Sequence, residues 1–287
     1  MGILPYLPPV NKLLTLGSCK RDPGGWPDYL KHGFGSEYIL DLIRMALDPE
    51  LHQAKTESLE IWAPVHAWRT LGQLRAEAAI GPLLTLLHRI DDTEDDWIGE
   101  ELPEVYEMIG PAAIPALTEY ITDTTHGLWA QVAAVSSLQK IAARDFQARA
   151  KCIPILIEQL SKSATQASSL NGFLASALID LQATEALPVI RCVYVDKQID
   201  ESIIGDWEDV EIEFGLREER DTPRRPLLPF LFGPPIDDDD LEDDLFVDDD
   251  LLQEDVSNRV AHQSKVKTKA RAKRKQQKQS RRKNRKR

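Results

Sequence analysis

The sequence predicts an all-α protein, an α-solenoid built from four to five helical pairs. The first observation is a recurring aliphatic residue, which is usually followed within two positions by proline. It occurs at Ile80, Ile114, Ile153 and Leu187, with steps of 34, 39 and 34 residues. The second observation is the absence of any convincing stretch with a period of two. A fixed period of 20–50 residues is typical of stacked helical repeats.

A second series, of aromatic residues, runs between these aliphatic anchors with steps of 35, 32, 44 and 34 residues. Apolar residues follow each aromatic at spacings of three and four, which is one face of a helix. We expect each unit to comprise helix A with an aromatic start, a short turn, and helix B starting at the anchor. Proline fits the first turn of helix B, where no N–H is needed. The series is Trp62, Trp97, Trp129, Phe173 and Trp207.

A single helical pair cannot bury its apolar face, so stacked neighbours must supply the core. We therefore assign residues 58–220 to the repeats and residues 1–57 to an N-terminal segment that covers the first pair. A helix is expected over Ser36–Leu47, capped by Ser36 and ended by Pro49. The fifth unit is predicted to be truncated, because prolines follow Trp207. A globular helical bundle is the alternative architecture.

The run from Leu71 to Leu84 resembles the HEAT-like repeats of the phycobilisome-lyase type, through Leu-Gly-Gln-Leu-Arg-Ala-Glu-Ala-Ala-Ile-Gly-Pro-Leu-Leu. Residues 1–220 as a whole resemble a group of uncharacterised bacterial HEAT-repeat proteins. The resemblance implies protein–protein recognition on a curved helical surface. The repeat type also implies an alternative, a bilin-lyase-like or other protein-modifying factor. Some similar proteins carry a zinc-binding SEC-C module, but no cysteine follows Cys192 here.

The C-terminal part changes in composition. Residues 221–235 form a proline-rich linker, residues 236–255 hold 12 acidic residues and no base, and residues 256–287 hold 15 basic residues and no acid. Both charged blocks are expected to be disordered. We expect the basic tail to contact RNA, a ribosomal surface or another polyanion, with pairing to the acidic block as the competing interpretation. The candidate residues are Lys273, Arg274, Lys275, Arg281, Arg282, Lys283, Arg285, Lys286 and Arg287.

No catalytic, cofactor-binding or metal-binding residue is predicted, and an enzyme is the less favoured class. The common phosphate-binding, zinc-protease and hydrolase motifs do not occur. His66 is interpreted as a packed or a surface histidine, and Cys152 and Cys192 are interpreted as buried, inert thiols. The acidic run 91–96 is interpreted as a solvated loop leading into a helix start, because it lacks the calcium-loop spacing. The tryptophans are interpreted as packing residues rather than ligand contacts.

The sequence contains no apolar stretch of roughly 20 residues that could span a membrane. The N-terminal residues, broken by Pro5, Pro8 and Pro9, do not read as a signal peptide. Three cysteines in no close pair favour a reducing compartment. The sequence thus predicts a cytoplasmic adaptor that binds an unknown protein through its helices and a polyanion through its tail.

Overall fold

A computed structural model of the chain describes residues 6–19 and 25–223. Most of these residues are helical, and no strand occurs among them. The α-helices of the described residues are α1 (Ile39–Leu47), α2 (Pro49–His52), α3 (Ala63–Gln73), α4 (Ile80–Leu84), α5 (Arg89–Asp92), α6 (Asp96–Ile109), α7 (Ile114–Thr122), α8 (Leu128–Arg144), α9 (Phe146–Ser161), α10 (Ser168–Asp180), α11 (Leu187–Val195), α12 (Glu201–Ile204) and α13 (Trp207–Glu213).

The helices divide into two rows by their contacts. In one row α1 packs on α3, α3 on α6, α6 on α8, α8 on α10 and α10 on α12. In the other, α4 contacts α7, α7 contacts α9 and α9 contacts α11. The core lies where the rows meet, for example between α8 and α9. The α3–α6 approach is close: a Cβ on Gly72 would lie 3.3 Å from the Val105 Cα, so a larger residue there would push the helices apart.

The same turn precedes three of the short helices. A 3₁₀ turn occupies Glu77–Ala79, Pro111–Ala113 and Thr184–Ala186. The aliphatic anchors Ile80, Ile114 and Leu187 are the first α-helical residues after these turns, which confirms the predicted helix B starts. At the first and last of them the backbone reverses through a residue of positive φ, 51° at Arg75 and 52° at Gln182. The local geometry therefore repeats along with the sequence.

The third predicted start of helix B is wrong. Helix α9 begins at Phe146, and Ile153 and Pro154 lie within it. The Asp145 carboxylate accepts a hydrogen bond of 2.8 Å from the Ala148 N–H and so caps the helix seven residues earlier than the repeat predicts. The helix tolerates Pro154 in its interior, where one backbone N–H is lost.

The aromatic starts of helix A are confirmed at four of five positions. Trp62 directly precedes α3, Trp97 and Trp129 are the second residues of α6 and α8, and Trp207 begins α13. Phe173 does not start a helix but is the sixth residue of α10. This helix starts earlier because Asn171, in its first turn, hydrogen-bonds to the carbonyls of Ser163 and Gln198 and fixes the start.

The N-terminal helix differs from the prediction at its start. Ser36 lies in a 3₁₀ turn, Ser36–Tyr38, whose cap position is Gly35, and Ser36 does not cap α1. The predicted end at Leu47 is confirmed. Pro49 then begins α2, whose N-terminus is capped by the Asp48 carboxylate through the Glu50 N–H at 3.0 Å. Proline suits this position because the first helical N–H has no intrahelical partner.

The chain divides into two units, Met1–Phe214 and Gly215–Arg287, and the helices of the described residues all lie in the first. The second unit is described only over residues 215–223, where Arg220 Nε donates to the Thr222 carbonyl at 3.0 Å. Most of the predicted linker 221–235, the acidic block 236–255 and the basic tail 256–287 lie outside the described residues.

Candidate functional site

The nine basic residues predicted to bind a polyanion, Lys273 to Arg287, lie outside the described part of the chain. The described part instead contains two features that could carry a function. One is a buried cluster of titratable side chains around His66. The other is a set of aromatic pairs that involve the predicted aromatic series.

The cluster centres on His66 in α3, which is buried, as the sequence interpretation allowed. Its Nε2 lies 2.8 Å from the Gly17 carbonyl, which can only accept a hydrogen bond, so Nε2 carries the proton. The Tyr29 hydroxyl lies 2.7 Å from Nδ1 and therefore donates to it. Burial lowers the pKa of His66 to about 4, against a smaller opposing effect of the Gly17 hydrogen bond. The imidazole is neutral at physiological pH.

Cys19 lies against the same imidazole, but the pair is not an activated nucleophile. Its Sγ is 3.4 Å from Nε2 and 3.5 Å from Nδ1, so it faces the ring, and both nitrogens already have oxygen partners. Burial raises the pKa of the Cys19 thiol to about 12. A catalytic cysteine needs the opposite shift, toward the thiolate. The cluster therefore does not resemble a cysteine–histidine catalytic dyad in its chemistry.

Arg69 and Glu101 complete the cluster with a fully buried ion pair. Arg69 Nε and Nη2 donate to the two carboxylate oxygens of Glu101, each at 2.6 Å. Nη2 also reaches the Cys19 carbonyl at 3.3 Å, and the guanidinium lies 5.1 Å from the Trp26 ring centre. Burial opposes the charge of Arg69, but the hydrogen bonds and charge of Glu101 outweigh it and raise the Arg69 pKa. The Arg69 guanidinium therefore remains ionised.

This cluster attaches the N-terminal segment to α3. His66, Arg69 and Gln73 lie three and four residues apart, on one face of that helix. His66 holds Gly17 and Tyr29, Arg69 holds Cys19, and Gln73 holds the Tyr29 N–H at 2.9 Å and the Pro27 carbonyl at 2.8 Å. His66, Arg69 and Gln73 each hold backbone of the N-terminal segment, so the arrangement is that of a structural clamp.

Polar anchors recur in the first turn of the long helices. His66, Gln131 and Asn171 are each the fourth residue of their helix. All three are buried, and each hydrogen-bonds to a backbone carbonyl. Gln131 and Asn171 meet carbonyls just before their helices, at Asp123 and Ser163, whereas His66 meets the distant Gly17 carbonyl. The sequence analysis missed this feature for Gln131 and Asn171. The available signal was a polar residue at an inward-facing position of an otherwise apolar face.

The acidic run 91–96 is only partly the loop that was predicted. Arg89–Asp92 forms α5, and the Asp91 carboxylate accepts from the N–H groups of Trp129 at 3.0 Å and Ala130 at 2.9 Å. Asp91 thereby caps α8, a helix that starts 37 residues later. The predicted helix start is confirmed, because Asp95 accepts from the Ile98 N–H at 3.4 Å. Likewise Asp206 and Asp209 form a capping box on α13.

The predicted aromatic series takes part in three edge-to-face pairs. Trp62 contacts Trp97 with ring centres 5.0 Å apart, Trp129 contacts Phe173 at 5.7 Å, and Tyr194 contacts Trp207 at 5.7 Å. The predicted packing role of the tryptophans is confirmed by these contacts. Packing does not bury them fully, since Trp97 keeps 39% of its surface exposed.

The cysteines and the remaining candidates carry no visible chemistry. Cys152 is buried, as predicted, whereas Cys192 is exposed and the prediction of a buried thiol is wrong there. Cys192 lies two residues after the buried Ile190, about 200° around α11, which places it on the outer face. None of the three cysteines is in a disulfide. Within the described ranges, no group of three His, Cys, Asp or Glu side chains is arranged to hold a metal ion.

The helices of the described residues are too short or too polar to cross a membrane. Comparison with protein-family models gave no match, and comparisons with curated proteins and with solved structures gave none either. The described part of the chain is thus defined by its own geometry as an all-helical protein with recurring turns and recurring first-turn anchors.

Proposed function

We propose that this chain is a non-enzymatic adaptor of the cytoplasm, an α-solenoid of four to five HEAT-like pairs that binds a protein partner on its helices. The disordered basic tail contacts nucleic acid or another polyanion. The observation that carries the protein-binding half is the set of aromatic pairs, in which Trp97 is 39% exposed and the other rings are only partly buried. Tryptophan and tyrosine are enriched at the centres of protein interfaces.

The buried polar groups support a binding protein over an enzyme. The thiol of Cys19 is held neutral, the His66 ring has both nitrogens engaged, and Arg69 is held by Glu101 and the Cys19 carbonyl. A catalytic site needs such groups in a cavity that substrate can enter. These groups instead hold the chain's own backbone, so they are better explained by stability.

The tail supports the polyanion half by charge alone. Fifteen basic residues occur in residues 256–287, and the tail contains no aromatic residue on which a base could stack. Affinity should come from counterion release and depend little on sequence. The twelve acidic residues in 236–255 compete for the same charges at a local concentration on the millimolar scale, since a short segment connects them.

A filter-binding titration with single-stranded RNA across a range of salt concentrations tests this half. The full chain should bind weakly, with log affinity falling with log salt at about 0.7 per phosphate neutralised. Deletion of residues 237–255 should strengthen binding. Neutralising Arg281, Arg282, Lys283, Arg285, Lys286 and Arg287 to glutamine should flatten the salt dependence.

The variant with neutralised tail residues should melt like the natural chain, which controls for unfolding. Salt-independent binding, or binding that survives the loss of the tail charges, would move the polyanion site to the helices and contradict the proposal.

A further inference from the structure

We propose that the contact between α3 and the N-terminal segment, residues 6–19 and 25–35, is an acid-sensitive clamp. Protonation of His66 opens this contact and releases the segment, while the helices stay folded. The inference goes beyond the proposed adaptor function, because it concerns how the chain itself responds to pH. The clamp comprises His66, Arg69 and Gln73 on α3 and their partners Gly17, Cys19, Pro27 and Tyr29.

The hydrogen bonds of His66 require a neutral ring. Nε2 donates to the Gly17 carbonyl at 2.8 Å, and Nδ1 accepts from the Tyr29 hydroxyl at 2.7 Å. A protonated imidazole has two N–H donors and no acceptor. The Tyr29 hydroxyl would then face a donor instead of an acceptor, so protonation removes its present hydrogen bond to α3.

A protonated His66 would also place a second positive charge in the core. His66 is only 4% exposed, and the charged Arg69 lies three residues later on the same face of α3. The two carboxylate oxygens of Glu101 are both engaged by Arg69, each at 2.6 Å. A buried charge without a partner is strongly unfavourable. Opening the clamp removes this cost, because the protonated ring then reaches water.

The other groups around α3 do not supply the missing negative charge. Cys19 and Tyr29 stay neutral, since burial raises their pKa values to about 12. From α2, His52 stacks on the Trp68 ring and donates to the Ala46 carbonyl at 2.8 Å. Asp48, which precedes α2, accepts from the Tyr6 hydroxyl at 2.7 Å. Other charged side chains on the elements packed against α3 lie at least partly at the surface: Lys12, Asp41, Arg44 and Glu60.

The N-terminal segment is the side of this contact that opens more easily. Its described residues form 3₁₀ turns at Val10–Thr15 and Leu30–His32, and such turns have poorer hydrogen-bond geometry than an α-helix. Helix α3, in contrast, packs on both α1 and α6. Proteins open first where the local stability is lowest. Protonation of His66 therefore favours release of the segment over unfolding of the helices.

The size of the effect follows from the two pKa values of His66. Burial lowers its pKa to about 4 in the closed clamp, whereas a histidine in water has a pKa of about 6.5. The open form therefore binds the proton more readily, and acid shifts the equilibrium toward it. The ratio of open to closed molecules should rise about threefold from pH 7 to pH 6 and about 20-fold from pH 7 to pH 5.

Labelling of the three thiols with dithiodipyridine in the full chain measures this opening, with the labelled sites located by mass spectrometry. Cys19 lies in the clamp and is 2% exposed, Cys152 is buried in α9 outside the clamp, and the exposed Cys192 reports the reactivity of a free thiol at each pH. Relative to Cys192, Cys19 should react about 20-fold faster at pH 5 than at pH 7. At pH 5 it should react about tenfold or more faster than Cys152, because the segment opens without the helices.

Two histidine variants identify the titrating group. Glutamine does not titrate, so His66→Gln should remove the pH dependence of Cys19 labelling. His52→Gln provides the matched control, because His52 is a partly buried histidine whose pKa is also lowered by burial. This variant should keep the pH dependence of the natural chain.

Equal labelling rates of Cys19 and Cys152 at pH 5 would assign the effect to unfolding of the whole helical part and would overturn the proposal. A ratio of Cys19 to Cys192 labelling that stays constant from pH 7 to pH 5, or that still changes in a folded His66→Gln variant, would overturn it as well. If His66→Gln does not fold, the comparison of the three thiols in the natural chain decides.

Discussion

At the scale of single residues, the buried cluster around His66 shows how α3 tolerates charge in the core. Every ionised group in it has an opposite charge or a hydrogen-bond partner, as buried polar groups require. The cluster holds the N-terminal segment at three points along one helix face. Two predictions about stability follow, one for acidic pH and one for the Arg69–Glu101 ion pair.

We expect the protein to lose stability in mild acid through His66. Its pKa is lowered to about 4 in the folded chain, so the unfolded chain binds the proton more readily. The stabilisation is present above the ordinary histidine pKa of about 6.5 and is lost as the pH falls toward 4, up to about 3 kcal/mol. The facing groups, Cys19 and Tyr29 with pKa values raised to about 12 and the Arg69 guanidinium, do not titrate in that window.

Urea unfolding at pH 7, 6 and 5 measures this effect. His66→Gln, which does not titrate, should flatten the fall in the free energy of unfolding relative to the natural chain. His88→Gln, at an exposed histidine, should keep the natural profile. An unchanged slope in His66→Gln would refute the role given to this residue.

Removing one charged partner of the Arg69–Glu101 pair should strongly lower the free energy of unfolding. Glu101→Gln leaves the Arg69 charge buried and unpaired, and we expect a loss of about 3–5 kcal/mol in the free energy of unfolding. Glu107→Gln removes a comparable partner from Arg144 at the surface, where the arginine is 59% exposed, and should cost less than about 1 kcal/mol. Similar losses in urea melts of the two variants would contradict the account.

At the scale of elements, helix starts and turns define the structure more than helix interiors do. Asp91 caps α8 from a different helix, and Gly127 makes this possible, since a Cβ at that position would collide with the Asp91 carboxylate. Glycine is therefore required at position 127 by the lack of space for a Cβ, and not by a positive φ. In the middle of a helix or strand, glycine is otherwise unfavourable, because it loses more conformational freedom on folding than any other residue.

Alanine substitutions at two glycines should have opposite effects. Gly127→Ala displaces the Asp91 cap and should lower the free energy of unfolding by about 1–2 kcal/mol. Gly81→Ala, within α4 and with nothing near its Cβ, should raise it by about 0.5–1 kcal/mol because alanine is the better helix former. Thermal melts of the two variants measure both effects. A stabilised Gly127→Ala variant would contradict the role of Asp91 as the cap of α8.

Substituting the aliphatic anchors by alanine should lower the free energy of unfolding by amounts that follow how deeply each anchor is buried. Ile114 is buried at the start of α7, whereas Leu187 at the start of α11 is only partly buried. Ile114→Ala should cost about 2–4 kcal/mol and Leu187→Ala clearly less. Equal shifts of the two urea midpoints would count against a graded contribution of the anchors.

The sequence predicted the helix starts well where turn chemistry repeats with the anchors, as at Ile80, Ile114 and Leu187. It failed at Ile153 and Phe173, because tertiary hydrogen bonds and a local cap set those starts instead. The cluster around His66 was beyond reach, since its partners lie up to 50 residues apart in the chain. Patterns of apolar spacing carry no information about which distant carbonyl a buried side chain meets.

At the scale of the whole molecule, we assign the two proposed interactions to parts of the chain that differ in charge. Residues 1–235 hold 35 acidic and 20 basic residues, whereas residues 256–287 hold 15 basic residues and no acid. A protein partner on the helices and an anionic polymer on the tail would therefore bind to different places. The two interactions should be separable by mutation.

A pull-down of the tagged full chain, with and without nuclease, tests the adaptor account most directly. It compares three proteins: the natural chain, the Trp97→Ala variant, and a tail variant. In the tail variant, glutamine replaces Arg281, Arg282, Lys283, Arg285, Lys286 and Arg287. The account predicts protein partners that survive nuclease, remain with the tail variant and are reduced by Trp97→Ala, while nucleic acid is lost with the tail charges. Captured protein that disappears entirely with nuclease, or with the tail charges, would contradict it.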